Sequence, residues 1–358
     1  MKSIFVDLKY VTDNTSRIEP LYFDTESTGL YQKITLAQFY QGDDVMLVQS
    51  PDIMELVELV CSSYCILQNA SYDLSTLQAH HPRFTVPHRF EDTLLLGKLH
   101  FWEKSKFSLD ELMTYVLGIN PYAKEGLHKK DMQKTDWSGV LTPEQIIYAS
   151  IDVYYLKDVY ETVMDKQDTV SYRLDKDTLI TCLEFQNKGF PYIEDIRAKQ
   201  LKANNYDLSR LSVPINVNSY KQVRAYIGEE ESDALALSTF SILGNDRASD
   251  VLKAKKLTKQ NSYLKKFDVE SKEGRIFGKF SPSTRSGRLS CKDQNLQQIP
   301  RKLHGVFGYN EDDDRVMVYS DFSQLELRTA CAKIGEYKMA ELFYSGEDLH
   351  TYTEDRVV

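Results

Sequence analysis

Residues 21–28 read LYFDTEST, an apolar run that ends in two acidic side chains, Asp24 and Glu26. Alternate side chains of a β-strand point to the same face, so a strand here would present both carboxylates on one face. The next segment, residues 33–40, reads KITLAQFY and carries the aromatic and β-branched residues typical of strands. We therefore expect a β-meander over residues 20–50.

Helical patterns follow this meander. Apolar residues recur at helical spacing after Pro51, and CILQNA then predicts a short strand that runs into a helix past Asp73. The sequence Thr142-Pro143-Glu144 indicates the start of another helix, because a capping residue is followed by proline at the first helical position. Strands followed by helices indicate an α/β domain. Further helices are predicted over residues 90–100, 108–117 and 142–166.

The pattern changes further along the chain. Residues 171–272 are mainly helical in pattern, and short strands and loops are favoured after them, including a strand-like RVMVYSDF at residues 315–322. The last segment begins like a helix capped by Ser345 or Asp348 and then stops, so we expect something outside the chain to complete its fold. The predicted domains span residues 1–170, 171–305 and 306–358.

Composition is that of an ordinary globular protein, with 42% hydrophobic and 27% charged residues among 358. The start, MKSIFVDLKY, lacks the apolar run of a signal peptide, and no segment approaches the roughly 18 apolar residues that span a membrane. We therefore expect a cytoplasmic protein with no membrane partner. The five cysteines, an odd number without a CxxC pair, predict reduced thiols.

Charge is distributed unevenly. The formal net charge is -9, yet residues 245–305 hold 15 Lys and Arg against 6 Asp and Glu. A basic stretch inside an acidic protein can neutralise a phosphate backbone locally. The alternative is a solvated helix face rich in lysine, and charge alone does not separate the two interpretations.

Three short motifs combine into a candidate metal site: Asp24-x-Glu26, Asn69-x-x-x-Asp73 and Tyr148-x-x-x-Asp152. Helical spacing in the last motif places its phenol and carboxylate on one side. Carboxylates brought together repel one another and need cations, and hard oxygen ligands suit Mg²⁺ or Mn²⁺. Two such ions could activate water on one side of a phosphodiester and stabilise the leaving 3′ oxygen on the other. Taken singly, each acidic residue is more often a turn or a helix cap.

The order of these motifs resembles that of the DEDD exonucleases of the ribonuclease D and proofreading type, in the tyrosine subclass. The segment KKDMQKTDWSGVLTPEQIIYASIDVYYLKDVYE is also similar to the region around the third motif of those enzymes. Gln68 departs from the histidine that relatives often have before the asparagine. The resemblance implies a 3′-5′ exonuclease with direct metal ligands Asp24, Glu26 and Asp152, outer ligand Asp73, and Tyr148 as the residue that orients attacking water.

Two later blocks, SPSTRSGRLSCKDQNLQQIPR and VMVYSDFSQLELR, closely resemble family A DNA polymerases. The second block resembles the palm motif, so Asp321 would bind the two metal ions of nucleotidyl transfer. Departures from the family pattern are Gln294 for proline, Gln298 for asparagine and Phe322 for tyrosine. The implied nucleotide-binding residues are Ser323, Gln324, Glu326, which would help exclude a ribose 2′-hydroxyl, and His350, for which an ordinary polar helix position is the alternative.

DNA contacts are implied by the same resemblance. NVNSYKQVRAYI and KKLTKQNSYLKKF look like thumb helices, whose Lys and Arg hold the duplex phosphates. The implied DNA-binding residues are Lys255, Lys256, Lys259 and Ser262 in the thumb, and Arg288, Asn295 and Gln297 near the growing primer end.

The resemblance implies an α/β chain: a ribonuclease H-like 3′-5′ exonuclease domain, then a helical thumb and an incomplete α+β polymerase palm. The 37 residues after Asp321 contain neither a second palm carboxylate nor a fingers helix bearing Lys and Arg, which synthesis needs. We therefore expect the N-terminal part of a split polymerase, resembling a phage enzyme and working in the host cytoplasm if it is viral. Its partners would be a primer-template, a single-stranded 3′ end, a C-terminal polypeptide with the fingers and remaining palm, and a dNTP in the completed complex. Each active site would use two Mg²⁺ or Mn²⁺ ions.

Other interpretations stay open at this point. A stand-alone exonuclease on DNA or RNA would be a stable monomer without exposed apolar surface near Asp321. A DNA-binding replisome subunit with a decayed nuclease would lack a complete acidic set, which this sequence retains. A cloned or processed fragment of a longer polymerase would give the same sequence as a natural split.

Overall fold

A computed structural model of the chain describes residues 1–28, 32–81, 84–87, 89–271, 273–282, 284, 287–347 and 352. The chain divides into two compact units, Met1–Gly308 and Tyr309–Val358. The predicted domain boundary near residue 170 falls inside the first unit and stays a prediction.

A six-stranded mixed sheet forms the centre of the first unit. Its strands are β1 (Lys2–Phe5), β2 (Pro20–Ser27), β3 (Ile34–Tyr40), β4 (Asp44–Gln49), β5 (Tyr64–Leu67) and β6 (Phe90–Asp92), in the spatial order β1-β4-β3-β2-β5-β6. The strands β2, β3 and β4 pair antiparallel, which confirms the predicted meander. The strands β5 and β6 continue the sheet in parallel on the other side of β2. The strand with both acidic residues therefore lies inside the sheet.

Helices cover this sheet and bury its apolar side chains in one core. Phe23 of β2 stacks on Phe39 of β3 with ring centroids 5.2 Å apart. Burying a phenylalanine side chain contributes about 1.5–3 kcal/mol, so such contacts hold β2 firmly in place. The helices are α1 (Leu8–Asn14), α2 (Ile53–Ser62), α3 (Ser71–His80), α4 (Thr93–His100), α5 (Leu109–Leu117), α6 (Pro121–Lys124), α7 (Lys129–Met132), α8 (Pro143–Tyr154) and α9 (Leu156–Val163).

The helical region predicted after residue 170 is present, and its first helix contributes Tyr172, Leu179 and Leu183 to the same core. Two short antiparallel pairs follow: β7 (Phe190–Pro191) with β8 (Arg275–Ile276), and β9 (Lys279–Ser281) with β10 (Ser290–Lys292). The helices of this region are α10 (Val170–Lys188), α11 (Glu194–Leu211), α12 (Tyr220–Ile227), α13 (Ala234–Ile242) and α14 (Asp246–Glu270). Two 3-10 segments, Leu296–Gln298 and Arg301–Val306, close the unit.

The second unit contains, in its described part, the helices α15 (Leu325–Ile334) and α16 (Tyr337–Ser345). The strand predicted at residues 315–322 is wrong, because these residues pair with no strand, and Val316 and Val318 are exposed. Backbone groups of a strand need a neighbouring strand as partner, and the described residues of this unit contain none.

Two predicted helices have different limits. The segment predicted as one helix at residues 90–100 begins with β6, because Phe90 pairs with Cys65 of β5. The helix predicted over residues 142–166 is interrupted at Tyr155.

Ser345 is the last residue of α16 rather than the cap of a further helix. Gly346 ends that helix with a φ of +79°, a left-handed conformation that glycine adopts without steric cost. The alternative cap, Asp348, lies outside the described residues. Within the described part of the chain, no helix is long and apolar enough to cross a membrane.

Candidate active site

The residues predicted for the exonuclease line one cleft of about 820 Å³ in the first unit. Asp24 and Glu26 project into it from alternate positions of β2, as the two-residue period of a strand requires. Carboxylate oxygens of Asp24, Glu26 and Asp152 lie within 4.8 Å of one another. The structure therefore brings these three predicted ligands together.

Asp73 is fully buried in the first turn of α3, in the same cleft. Thr25 donates from Oγ1 to Asp73 Oδ1 at 2.7 Å, while Asp73 Oδ2 is buried and has no hydrogen-bond partner. The turn before α3 is fixed by Asp92, whose carboxylate accepts from the backbone N–H groups of Asn69 at 3.0 Å and Ala70 at 3.1 Å. Asp92 thereby sets the position of Asp73, a role that the sequence motifs did not reveal.

Helix α8 supplies the third motif. Thr142 caps it in a reciprocal pair with Gln145, as the sequence predicted. Tyr148 and Asp152 follow on its buried face. Another phenol, Tyr122, donates to Oδ1 of the Asp152 carboxylate. Asp152 is thus held by the Tyr122 hydroxyl, with the Tyr148 side chain in the same cleft.

Burial and mutual repulsion raise the pKa of these acidic groups. Desolvation, followed by the charges of neighbouring carboxylates, raises the pKa of Asp24 and Glu26 well above their ordinary values. Burial also raises the pKa of Asp73 to about 7 and that of Asp152 to about 6. The fully ionised cluster is therefore unfavourable without a counter-charge.

Both phenols keep their protons near neutral pH. Burial, followed by the negative charge of Asp152, raises the pKa of Tyr148 and of Tyr122 above the ordinary value for a phenol. Each hydroxyl is therefore a donor and not a base in this cleft. The Tyr148 ring lies 5.3 Å from the Tyr122 ring and 5.9 Å from that of Trp137, so packing fixes its position.

Lys129 is a cation of this cleft that the sequence analysis missed. Its Nζ lies 3.5 Å from Asp110 Oδ1 and 5.6 Å from the centre of the Tyr122 ring. Lys129 begins α7, in the segment similar to DEDD exonucleases, but nothing in the motif pattern indicates that α7 folds back over the acidic residues. Its positive charge opposes the rise in pKa of Asp24, Glu26 and Asp152.

The oxygen-rich composition of the cleft fits divalent metal ions. Three carboxylates converge, and the buried Oδ2 of Asp73 lacks a partner beside them. Hard cations such as Mg²⁺ and Mn²⁺ prefer oxygen ligands of this kind. A cation here would offset the repulsion that raises the carboxylate pKa values.

The residues predicted for nucleotide binding and polymerase metal binding belong to the second unit, and those of them that the structure describes form no comparable acidic cluster. Asp321 and Ser323 are exposed, and Gln324 precedes α15 with a φ of +53°. Glu326 is exposed in the first turn of α15. Within the described residues, the group that could hold a metal does not include Asp321. His350 lies outside the described residues.

The residues predicted to bind DNA lie on two parts of the first unit. On α14, Lys256, Lys259 and Ser262 are exposed, whereas Lys255 is half-buried and donates to the backbone oxygen of Ser232 at 3.3 Å. Their DNA contacts stay predictions.

The other predicted DNA contacts surround the first 3-10 segment. Arg288 is exposed, and Gln297 donates from Nε2 to the backbone oxygen of Leu289 at 3.2 Å. Asn295 keeps its Oδ1 buried without a hydrogen-bond partner. Contact of these residues with primer or template also stays a prediction.

An α/β domain with an acidic cleft is followed by a helical region, and two family models match successive parts of the chain. The family model described as 3'-5' exonuclease matches residues 4–167, and the model described as DNA polymerase family A matches residues 195–358. The chain belongs to DNA polymerase family A, with a 3'-5' exonuclease domain ahead of part of the polymerase domain.

Individual proteins are similar to parts or to nearly all of this chain. DNA polymerase I of Aquifex aeolicus is 25% identical over 410 residues, which cover 99% of this chain and 68% of that protein. The thermostable DNA polymerase I of Thermus thermophilus is 30% identical over 164 residues, 39% of this chain and 20% of that protein. The POL domain of Pol1 from M. smegmatis, solved in complex with DNA primer-template and dNTP, matches with a TM-score of 0.72 at 17% identity. That match covers 98% of this chain and 65% of the other, so this chain spans about two thirds of that polymerase domain.

Proposed function

We propose that the first region hydrolyses a DNA strand from its 3′ end and that the later region supplies part of a DNA polymerase. The nuclease proposal depends on one observation, the convergence of Asp24, Glu26 and Asp152 within 4.8 Å beside the buried Asp73. Repelling carboxylates in a cleft open to solvent are the ligand set that two-metal hydrolysis requires.

Two Mg²⁺ or Mn²⁺ ions bound by Asp24, Glu26 and Asp152, with Asp73 as an outer ligand, would supply Lewis acidity to the reacting phosphate and lower the pKa of water. In the reaction, water attacks the phosphorus of the last phosphodiester and the bond to the 3′ oxygen breaks. The proton from water passes to solvent, the leaving oxygen takes one up, and a 5′-mononucleotide is released.

The chain's own side chains position the reactants. The Tyr148 hydroxyl, which stays protonated near the charge of Asp152, orients the attacking water. The Tyr122 hydroxyl donates to the Asp152 carboxylate and so fixes its position. Lys129 contributes a positive charge that favours an anionic strand end in the cleft.

For the polymerase half, we propose that a polypeptide outside this sequence supplies the fingers and the remaining palm, on a second chain in the split arrangement. The coverage of 65% of the related polymerase domain supports this proposal. Val316, Val318 and Phe322 are exposed close to Asp321 in sequence, and exposed apolar side chains of this kind mark surfaces that another polypeptide covers. The completed assembly would bind a primer-template and a dNTP.

Degradation of a labelled single strand tests the nuclease. With Mg²⁺ or Mn²⁺, the chain should shorten single-stranded DNA stepwise from its 3′ end, and Asp24→Ala should slow this by about 10³-fold, because a ligand worth several kcal/mol of transition-state stabilisation is lost. Asp43→Ala, in the exposed turn before β4, is the matched control. Equal rates for both variants would refute the proposed site.

Primer extension tests the polymerase proposal. The chain alone should not extend a primer, whereas extension should appear when a polypeptide that contains the fingers and second palm carboxylate is added. Extension by the chain alone would contradict the need for a partner. Failure of extension with every such polypeptide would favour an exonuclease that only binds DNA through its polymerase part.

A further inference from the structure

A second cavity, of about 520 Å³, lies in the first unit between α3, the end of α10 and the β9–β10 region. Its volume is in the range of ordinary ligand pockets. Neither the proposed hydrolysis nor the predicted DNA contacts use it. The lining side chains that decide its chemistry are Gln78, Gln294, Phe277 and the pair Lys279 and Asp293.

Gln294 lines this cavity and has an unsatisfied polar group. The residue is only 4% exposed, and its Nε2 is buried without a hydrogen-bond partner. A buried amide donor without a partner is unfavourable, and a ligand in the cavity that carries an acceptor would satisfy it once the side chain turns toward that ligand. Gln78 of α3, which is 7% exposed, adds a second amide to the same cavity.

Phe277 adds a half-buried aromatic ring to these two amides. Proteins recognise unpaired nucleobases by stacking them on aromatic rings and by hydrogen bonds to their edges, for which glutamine offers both a donor and an acceptor. Lys279 forms an ion pair with Asp293, so the cavity does not present an unbalanced charge for a phosphate. Its chemistry therefore fits a nucleobase.

The position of the cavity links it to the strand in the first cleft. Tyr72 and Asp73 of α3 line the acidic cleft, and Gln78 of the same helix lines the second cavity. Six residues of helix span about 9 Å, which is about three nucleotides at the spacing of a stacked strand. Gln294 also directly precedes Asn295, a residue predicted to contact the primer-template.

We propose that this cavity binds a nucleobase of the single strand about three nucleotides from the 3′ end undergoing hydrolysis. The proposal rests on the proposed exonuclease function. It makes Gln294, Gln78 and Phe277 binding residues that act at a distance from the reacting phosphate. The strand would thereby be held at two points along α3.

Kinetics on two substrates test this proposal. Gln294→Leu, which keeps the volume and removes the amide, and Phe277→Leu, which removes the ring, should each raise the KM for a ten-nucleotide strand by about 10-fold, the typical effect of losing one stacked or bonded base. Neither should change kcat, and neither should change the KM for a dinucleotide, which is too short to reach the cavity. Phe277→Tyr should behave like the unsubstituted chain, as should Gln200→Leu, on α11 and outside both cavities.

Equal effects on the strand and the dinucleotide, or no effect on either, would overturn the proposal. Absence of hydrolysis of both substrates by the unsubstituted chain would instead contradict the proposed exonuclease function. Cross-linking in Ca²⁺ gives a readout without hydrolysis: 5-iododeoxyuridine at the third or fourth position from the 3′ end should attach to the peptide that contains Phe277. Equally strong attachment of free 5-iodo-dUMP would overturn the strand assignment in favour of a free-nucleotide site.

Discussion

The acidic cleft and the segment around Asp321 place the same kind of side chain in opposite surroundings. In the cleft, the sheet and its helices bury Asp73 and Asp152 and half-bury Asp24, and desolvation raises the pKa of each. Asp321 is exposed beside exposed apolar residues. A sequence motif supplies a single carboxylate. The surrounding fold brings several carboxylates close enough to repel one another and shields them from water, and both conditions favour a metal ion.

The largest effect should come from the centre of the cleft. Asp152→Asn removes a charge but keeps the size of the side chain, and it should slow hydrolysis by about 10³-fold through loss of metal binding. The free energy of unfolding of the metal-free variant should be equal to or above that of the unsubstituted chain, because an ionised carboxylate with a raised pKa destabilises the folded state.

Thermal unfolding with and without Mn²⁺ measures both the stability of the Asp152→Asn variant and its metal binding. Mn²⁺ should raise the Tm of the unsubstituted chain, since a ligand that binds only the folded state stabilises it, and should raise that of Asp152→Asn far less. An equal Mn²⁺-induced shift in both proteins would show that the cleft does not bind the ion through Asp152.

A smaller effect should follow from loss of the water-orienting hydroxyl. Tyr148→Phe should lower kcat by about 100-fold, as for the loss of one positioned donor at a reacting centre, with little change in the Mn²⁺-induced Tm shift. Tyr154→Phe, on the same helix and outside the cleft, is the control. If kcat for Tyr148→Phe matches that of this control, the hydroxyl does not take part in the reaction.

Tyr122→Phe should have a smaller effect again. Tyr122 acts through Asp152 and touches no reacting atom in the proposed mechanism, so we expect about a 10-fold loss of activity, in the range for residues that hold metal ligands. Excess Mn²⁺ should recover part of that loss, which a purely structural defect would not allow. Tyr115→Phe on α5 serves as the matched control.

The smallest effect on hydrolysis should come from a substitution at Asp321, in the second unit. Asp321→Asn should leave exonuclease activity within about twofold of that of the unsubstituted chain. The residues that line the acidic cleft lie between Asp24 and Asp152 in the sequence, so Asp321 is not one of them. Substitutions at independent sites have local effects that add. The same substitution should abolish primer extension in the completed assembly. Loss of hydrolysis in Asp321→Asn would show that the two regions are energetically coupled.

Local sequence signals predicted most elements well. The meander of β2 to β4, the capped start of α8 at Thr142 and the helical region after residue 170 depend on alternation, capping and helical spacing, which are readable in a single sequence. Asp24 and Glu26 share a strand, and Tyr148 and Asp152 share a helix, so their relative positions followed from short-range geometry.

Features that depend on contacts distant in sequence were missed. Tyr122 and Lys129 reach the cleft only because α6 and α7 pack over α8, and Asp92 acts on a turn that lies far from it in the chain. The segment at residues 315–322 has the composition of a strand, yet composition cannot provide the neighbouring strand with which its backbone would pair.

Tyr172 ties the acidic cleft to a helix beyond the limit of the exonuclease family match, which ends at residue 167. This buried phenol of α10 donates to the Glu91 carboxylate and accepts from the backbone N–H of Asp92 at 3.0 Å, next to the side chain that fixes the turn before Asp73. The family match therefore ends before the last residue whose side chain supports the nuclease site. An excised fragment that retains α10 keeps this brace, whereas one trimmed to the family limit leaves Asp92 without its outer support.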